Sequence, residues 1–169
     1  MKILEKMKKM YYYIIDEKKK ERAIEAMDAI KLSGYVIQQF SNQKKIVTNL
    51  KLQKVMYYIQ GYFFKNFGYA AFEDEIRRWH YGPVVPIVYY EYNSNGAAPL
   101  KCQDNVDIDL YNKERNLIQT IVKKCAGINT ATLVEMTHRE EPWEQTEAGA
   151  LIPTEIIKKY FEKSNPLRI

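Results

Sequence analysis

The stretch LKLQKVMYYIQGYFF, residues 50–64, decides the fold. Leu52, Val55, Met56, Ile59 and Phe63 recur at the three- and four-residue spacing of one helical face, and Leu50, Tyr57, Gly61 and Phe64 fill most of the remainder. A helix that is apolar nearly all round belongs at the centre of a domain, with other elements packed on every side. Thr48 or Asn49 can start it by accepting an orphan backbone N–H. Gly61 inside such a helix costs about 1 kcal/mol relative to Ala. A neighbouring backbone or bulky ring is therefore expected to pass close by.

Working outward, residues 23–43 carry Ala29, Leu32, Ser33, Val36, Ile37 and Phe40 at helical spacing, which predicts a helix ended by Asn42 and Gln43. The segment FEDEIRRWHYGP, residues 72–83, fits neither helix nor strand periodicity cleanly and is read as a short strand. Pro86 suits the first turn of a helix through IVYYEYNSN that stops at Gly96. VDIDL, residues 106–110, alternates and is predicted to pair with residues 73–81 in a small antiparallel ribbon. A helix then starts at Asp109 or Asn112 and carries Leu117, Ile118, Ile121, Val122 and Cys125; a shorter one runs through Leu133, Val134 and Met136 until Pro142 stops it. A last helix uses Ile156, Ile157, Tyr160 and Phe161. The expectation is a mainly α fold, a compact multi-helix domain with a small two-stranded antiparallel β element.

A chain of 169 residues suits one domain with a real core. The net charge of +5 is unevenly placed: residues 1–22 hold eight of the 26 Lys and Arg against four of the 21 acids, leaving the remainder near +1. Residues 1–22 are read as a basic, Tyr-rich extension, helical or loose, and residues 23–169 as a single globular domain. So neutral a body lacks the concentrated positive field that supplies most nucleic-acid affinity, which makes a DNA-binding regulator the runner-up function. Two cysteines, Cys102 and Cys125, make no CxxC and no disulfide scaffold. The apolar run from Met10 to Ile15 is too short for a signal peptide, and nothing approaches the roughly 18 apolar residues of a membrane span. The expected location is the cytoplasm, with no membrane span.

Catalytic and metal motifs are weak. Cys125 and His138 could form a thiol–imidazole pair, but Cys125 lies on an apolar helical stripe, where cysteine behaves as a small hydrophobe. His138-Arg139-Glu140 matches half of a zinc deaminase signature whose P-C-x-x-C half is missing. No Walker loop, GxGxxG or G-x-S-x-G occurs. The carboxylates Glu73, Asp74, Glu75, Glu140 and Glu141 stand in polar runs that read as solvated faces. No catalytic residue, cofactor or metal is predicted. The most unusual number is 14 tyrosines, which suggests a half-wet core shell or a recognition surface.

Three segments, TNLKLQKVMYYIQGYF at 48–63, WHYGPVVPIVYYEY at 79–92 and LVEMTHREEPWEQT at 133–146, resemble in order and spacing the Panacea domain family. That family occurs in antitoxins, phage-associated proteins of the GepA kind and SocA-like proteolytic adaptors. The likeness runs from about Met27 to the C-terminus, and Arg78 stands where the family usually has Ala. The resemblance implies a mainly helical domain without established catalytic residues that binds and neutralises a toxin protein, commonly encoded by the adjacent gene. In some relatives it delivers the toxin to a protease. The positions singled out as scaffold or interaction residues are Gln53, Lys54, Tyr57 and Tyr58 in the first segment, Trp79, Tyr81, Gly82, Pro83, Val84, Pro86 and Tyr89 in the second, and His138, Pro142 and Trp143 in the third. Residues 79–84 are expected to form a corner, with Gly82 free to turn and Pro83 fixing the next angle. Gln53, Tyr57, His138 and Trp143 are expected to pack against it, either as scaffold or beneath a recognition surface. Tyr89, Tyr90 and Tyr92 are expected to leave rings exposed.

Overall fold

The computed structural model describes the backbone of residues 2–24 and 26–169 and the side chains of residues 3–14, 17 and 26–169. The expected mainly α fold is what the chain adopts. In chain order the elements are α1 (Lys2–Ile24), α2 (Ala29–Asn42), α3 (Asn49–Phe67), β1 (Arg77–Trp79), β2 (Gly82–Val84), α4 (Pro86–Tyr92) with a 3₁₀ turn at Asn93–Asn95, α5 (Asn112–Ala126), α6 (Thr130–His138), α7 (Glu141–Glu144) and α8 (Thr154–Lys163).

Helix α3 is the axis of the body. Residues 51–64 contain no exposed position, and α2, α4, α5, α6, α8 and β2 all pack on it. Thr48 caps its start by accepting from Lys51 N, and Gly68 closes it in the left-handed conformation with φ 79°. The close neighbour expected at Gly61 is the ring of Phe161 on α8: a Cβ on residue 61 would overlap it. Phe161 also meets Tyr57, Tyr58 and Tyr62 edge-on, at centroid distances of 5.6, 6.3 and 5.3 Å. One ring thus fastens the C-terminal helix to one face of the central one.

Three local readings are corrected. Residues 23–43 do not form one helix: α1 ends at Ile24, Met27 bridges to Phe72, and Asp28 caps a new helix by accepting from Lys31 N at 2.9 Å. The partner of the 77–79 strand is not residues 106–110, which form no strand, but residues 82–84, directly across a two-residue turn. Gly82, with φ 102°, permits that tight reversal, whereas Val106 and Ile108 pack as loose apolar contacts on the core. Pro142 does not stop α6, which ends at His138; it lies in the first turn of α7, where a missing N–H costs nothing.

Helix α1 covers Lys2–Ile24. Ile3, Leu4, Met7, Met10, Tyr11 and Ile14 on α1 are all exposed. No described helix is long and apolar enough to cross a membrane.

Candidate functional site

The site is built on the polar residues of α3. Asn49 Nδ2 donates to Tyr89 O at 2.9 Å, Gln53 Nε2 to Asn49 Oδ1 at 2.8 Å, and Val85 N to Gln53 Oε1 at 2.9 Å. From the next residue, Lys54 Nζ donates to Pro83 O at 2.9 Å. These bonds hold the β1–β2 hairpin and the start of α4 against the central helix. The amides and the amine are buried, so each stands in for the water its backbone partner has lost.

Lys54 is the extreme case. Its side chain is fully buried and Gly82 lies directly over the amine: a Cβ there would sit 2.9 Å from Nζ. Gly82 is thus required both for its positive φ and for the space the lysine occupies. Burial pushes the Lys54 amine down to about 7.

Tyr57 and Tyr58 leave the corner for a different anchor. Tyr57 OH donates to Glu140 Oε2 and Tyr58 OH to Glu140 Oε1, both at 2.8 Å. Glu140, read from its polar neighbours as solvated, is buried at the start of α7. Burial pushes its carboxyl up to about 7, even though the two tyrosyl bonds pull the other way. Without them a buried carboxylate would be far costlier. This clamp fixes α7, and with it Pro142 and Trp143, on α3.

The third segment closes the corner. Trp143 Nε1 donates to Trp79 O at 3.0 Å. The His138 ring stacks on Trp143 with centroids 4.0 Å apart, and the Arg78 guanidinium carbon lies 3.9 Å from the Trp143 ring centre. The imidazole and the guanidinium thus both pack on the Trp143 indole. Burial and the Lys54 amine hold the His138 imidazole below its usual range, while its bond to the His80 backbone works against them. His138 Nε2 is shielded from water and has no partner.

Above this scaffold the rings emerge. Trp79 meets Tyr89 at 4.9 Å and Tyr90 at 6.1 Å, and Tyr89 meets Tyr90 at 5.5 Å. His80 and Tyr81 form the turn with rings 4.7 Å apart. Trp79 and Tyr89 are half-buried, whereas His80, Tyr81, Ile87 and Tyr90 are exposed. Tyr92, expected with the exposed tyrosines, is instead buried and shares a 3.1 Å hydrogen bond with Ser33. Helix α4 turns that ring inward. Gly82, Pro83 and Val84 are buried, and Pro86 opens α4.

Elsewhere the chemistry is quiet. The Cys125 thiol is buried, and burial pushes it up to about 12, which disfavours the thiolate a nucleophile needs. Among the described residues no three His, Cys, Asp or Glu side chains gather as metal ligands.

The fold and site define a helical domain whose central helix devotes its polar side chains to holding an aromatic corner. The chain belongs to the SocA-like antitoxin, Panacea domain family, whose model matches residues 52–144, more than half of its length. That span holds the hairpin, α4 and the Glu140–Trp143 segment. Antitoxin SocA of Caulobacter vibrioides is 28% identical over 72 residues, 43% of this chain and 38% of that protein. The similarity thus spans less than half of the curated relative. No solved structure matches.

Proposed function

We propose that this protein is a cytoplasmic antitoxin that neutralises a protein toxin by covering it, using the rings around the corner as its contact surface and no catalytic step. The observation that carries the reading is the exposed cluster of Tyr81, Tyr90 and Ile87 beside half-buried Trp79 and Tyr89, seated on a hairpin held from beneath by buried side chains. Large rings on a rigid base give contact area at small entropic cost, and they dominate protein interfaces. Membership of an antitoxin family supports a toxin as the class of partner, and the adjacent gene is the proposed source. In this reading Lys54, Gln53, His138, Pro142 and Trp143 are scaffold, while Tyr81, Tyr89 and Tyr90 touch the partner. A protease that receives the captured toxin is compatible with it.

The test is co-expression with the product of the adjacent gene. The wild-type protein should restore growth and co-purify with that product. The double variant Tyr81→Ala, Tyr90→Ala should lose both effects while melting within a few degrees of the wild type, because exposed side chains contribute little to stability. A harmless, non-binding neighbour removes the reading. A double variant that still protects moves the contact surface elsewhere.

A further inference from the structure

Beside the aromatic corner lies a groove of about 450 Å³ lined by Arg78, Trp79, His80, Trp143, Ala148 and Gly149. No carboxylate lines it. The Arg78 backbone is pinned to the 149–150 segment: its N–H donates to Ala150 O at 2.9 Å and its carbonyl accepts from Gly149 N at 2.7 Å. Its guanidinium rests on Trp143, itself fixed by the bond to Trp79 O and the stacked His138. Yet Arg78 Nε is shielded from water with no hydrogen-bond partner, and no acid among the described residues is paired with its guanidinium. The neighbouring Arg77 shows the contrast: its Nε donates to Glu75 Oε2 at 2.8 Å and its Nη1 to Gly149 O at 3.2 Å. One arginine is satisfied by the protein. The other is oriented, partly dehydrated and left without a counter-charge.

We propose that Arg78 is the receptor for an Asp or Glu carboxylate that the bound toxin inserts into this groove. The inference rests on the antitoxin reading and adds the partner's chemistry to it. A guanidinium presents a planar fork of N–H donors that matches the two oxygens of a carboxylate, and stacking on an indole leaves its edge free for that bidentate contact. A phosphate backbone fits less well, because binding a nucleic acid needs several cations in a row and this body is near neutral outside residues 1–22.

Two measurements on the full chain test it. In the first, N-acetyl-glutamate α-amide is titrated into the isotope-labelled protein while the Arg78 Nε–H and the Trp79 and Trp143 indole N–H resonances are followed. A saturable shift in the millimolar range is expected, absent with the neutral glutamine analogue and absent in Arg78→Ala. No saturable shift, or an equal response in Arg78→Ala, overturns the proposal. Inorganic phosphate moving the same resonances at lower concentration than the carboxylate also overturns it, in favour of a phosphate ligand. In the second, toxin affinity is compared across variants: Arg78→Ala should weaken binding roughly tenfold or more, Arg78→Lys less, and Arg78→Glu most. Wild-type and Arg78→Ala proteins that bind equally refute the carboxylate contact and leave the antitoxin reading standing. A wild type that neither binds nor protects defeats the antitoxin reading, while the titration still decides whether Arg78 takes a carboxylate.

Discussion

Two buried groups of opposite charge, both brought to about 7 by burial, give this protein an unusual dependence on pH. Lys54 titrates at about 7 when folded against 10.5 as a free side chain. Between those values the unfolded chain holds a proton that the folded chain has released, so stability rises with pH there, by at most about 1.4 kcal/mol per pH unit. Glu140 behaves in the opposite sense: its folded carboxyl sits at about 7 against 4.5, so the folded state holds the extra proton and stability falls as pH climbs from about 4.5 to 7. Together the two groups place their largest combined cost near pH 7. Lys54→Met should flatten the rise in melting temperature between pH 7 and 9.5. Glu140→Gln, which keeps a carbonyl oxygen for one tyrosine, should flatten the fall between pH 5 and 7. Thermal melts of the three proteins across those windows check both signs, and an unchanged slope in either variant shows that its group titrates normally. Neither charge was legible in the sequence. Glu140 stands among polar and charged neighbours, Lys54 is a cation in an otherwise apolar helix, and the contacts that hold them inside, to Pro83, Tyr57 and Tyr58, are of long sequence separation.

At the scale of elements, α2, α5, α6 and α8 were readable because each carries a stripe that only a helix can bury on one side, and the all-round apolar run at 50–64 named its own place in the middle. What escaped was short or depended on a distant partner. The strand Gly82–Val84 has three residues, one a proline, and reads as a turn; VDIDL has the alternation of a strand but no edge to pair with, because β1 uses its free side to bond residues 149–152. Those bonds, Arg78 N to Ala150 O and Ile152 N to Ile76 O among them, extend the ribbon with a segment that shows no strand pattern of its own. The break between α1 and α2 was hidden in the same way: Ala23 continues the apolar spacing, and it is the Asp28 cap and the Met27–Ala71 bond that separate the helices. The corner was legible as a corner, since Gly82, Pro83 and Pro86 dictate it. Its filling by Trp143 and His138 was a hypothesis about how the three segments meet, and the structure adds Arg78 on the Trp143 ring, whose role no local pattern announces.

The molecule as a whole is closed by the contact between α3 and α8, residues about a hundred positions apart in the chain. Gly61 is the groove and Phe161 the ridge, and the ring reaches Tyr57, Tyr58 and Tyr62 because residue 61 has no side chain. The same three tyrosines carry the bonds to Glu140 and, through Tyr62, to Asn165 at 2.6 Å and Leu167 N at 2.9 Å. Packing at this one point therefore holds the C-terminal segment and lies against the clamp beneath the aromatic corner. Gly61→Ala should lower stability by about 1–3 kcal/mol, since a methyl group cannot share space with the ring and α8 must move outward. Phe161→Leu alone should cost on the order of 1–3 kcal/mol through lost packing. Combined, the two should cost clearly less than their separate effects added, because the leucine vacates part of the volume the methyl group needs. Denaturant melts of the four proteins measure that coupling. Additive losses would mean that the ring does not rest on Gly61, and that α8 is held to the central helix by some other contact.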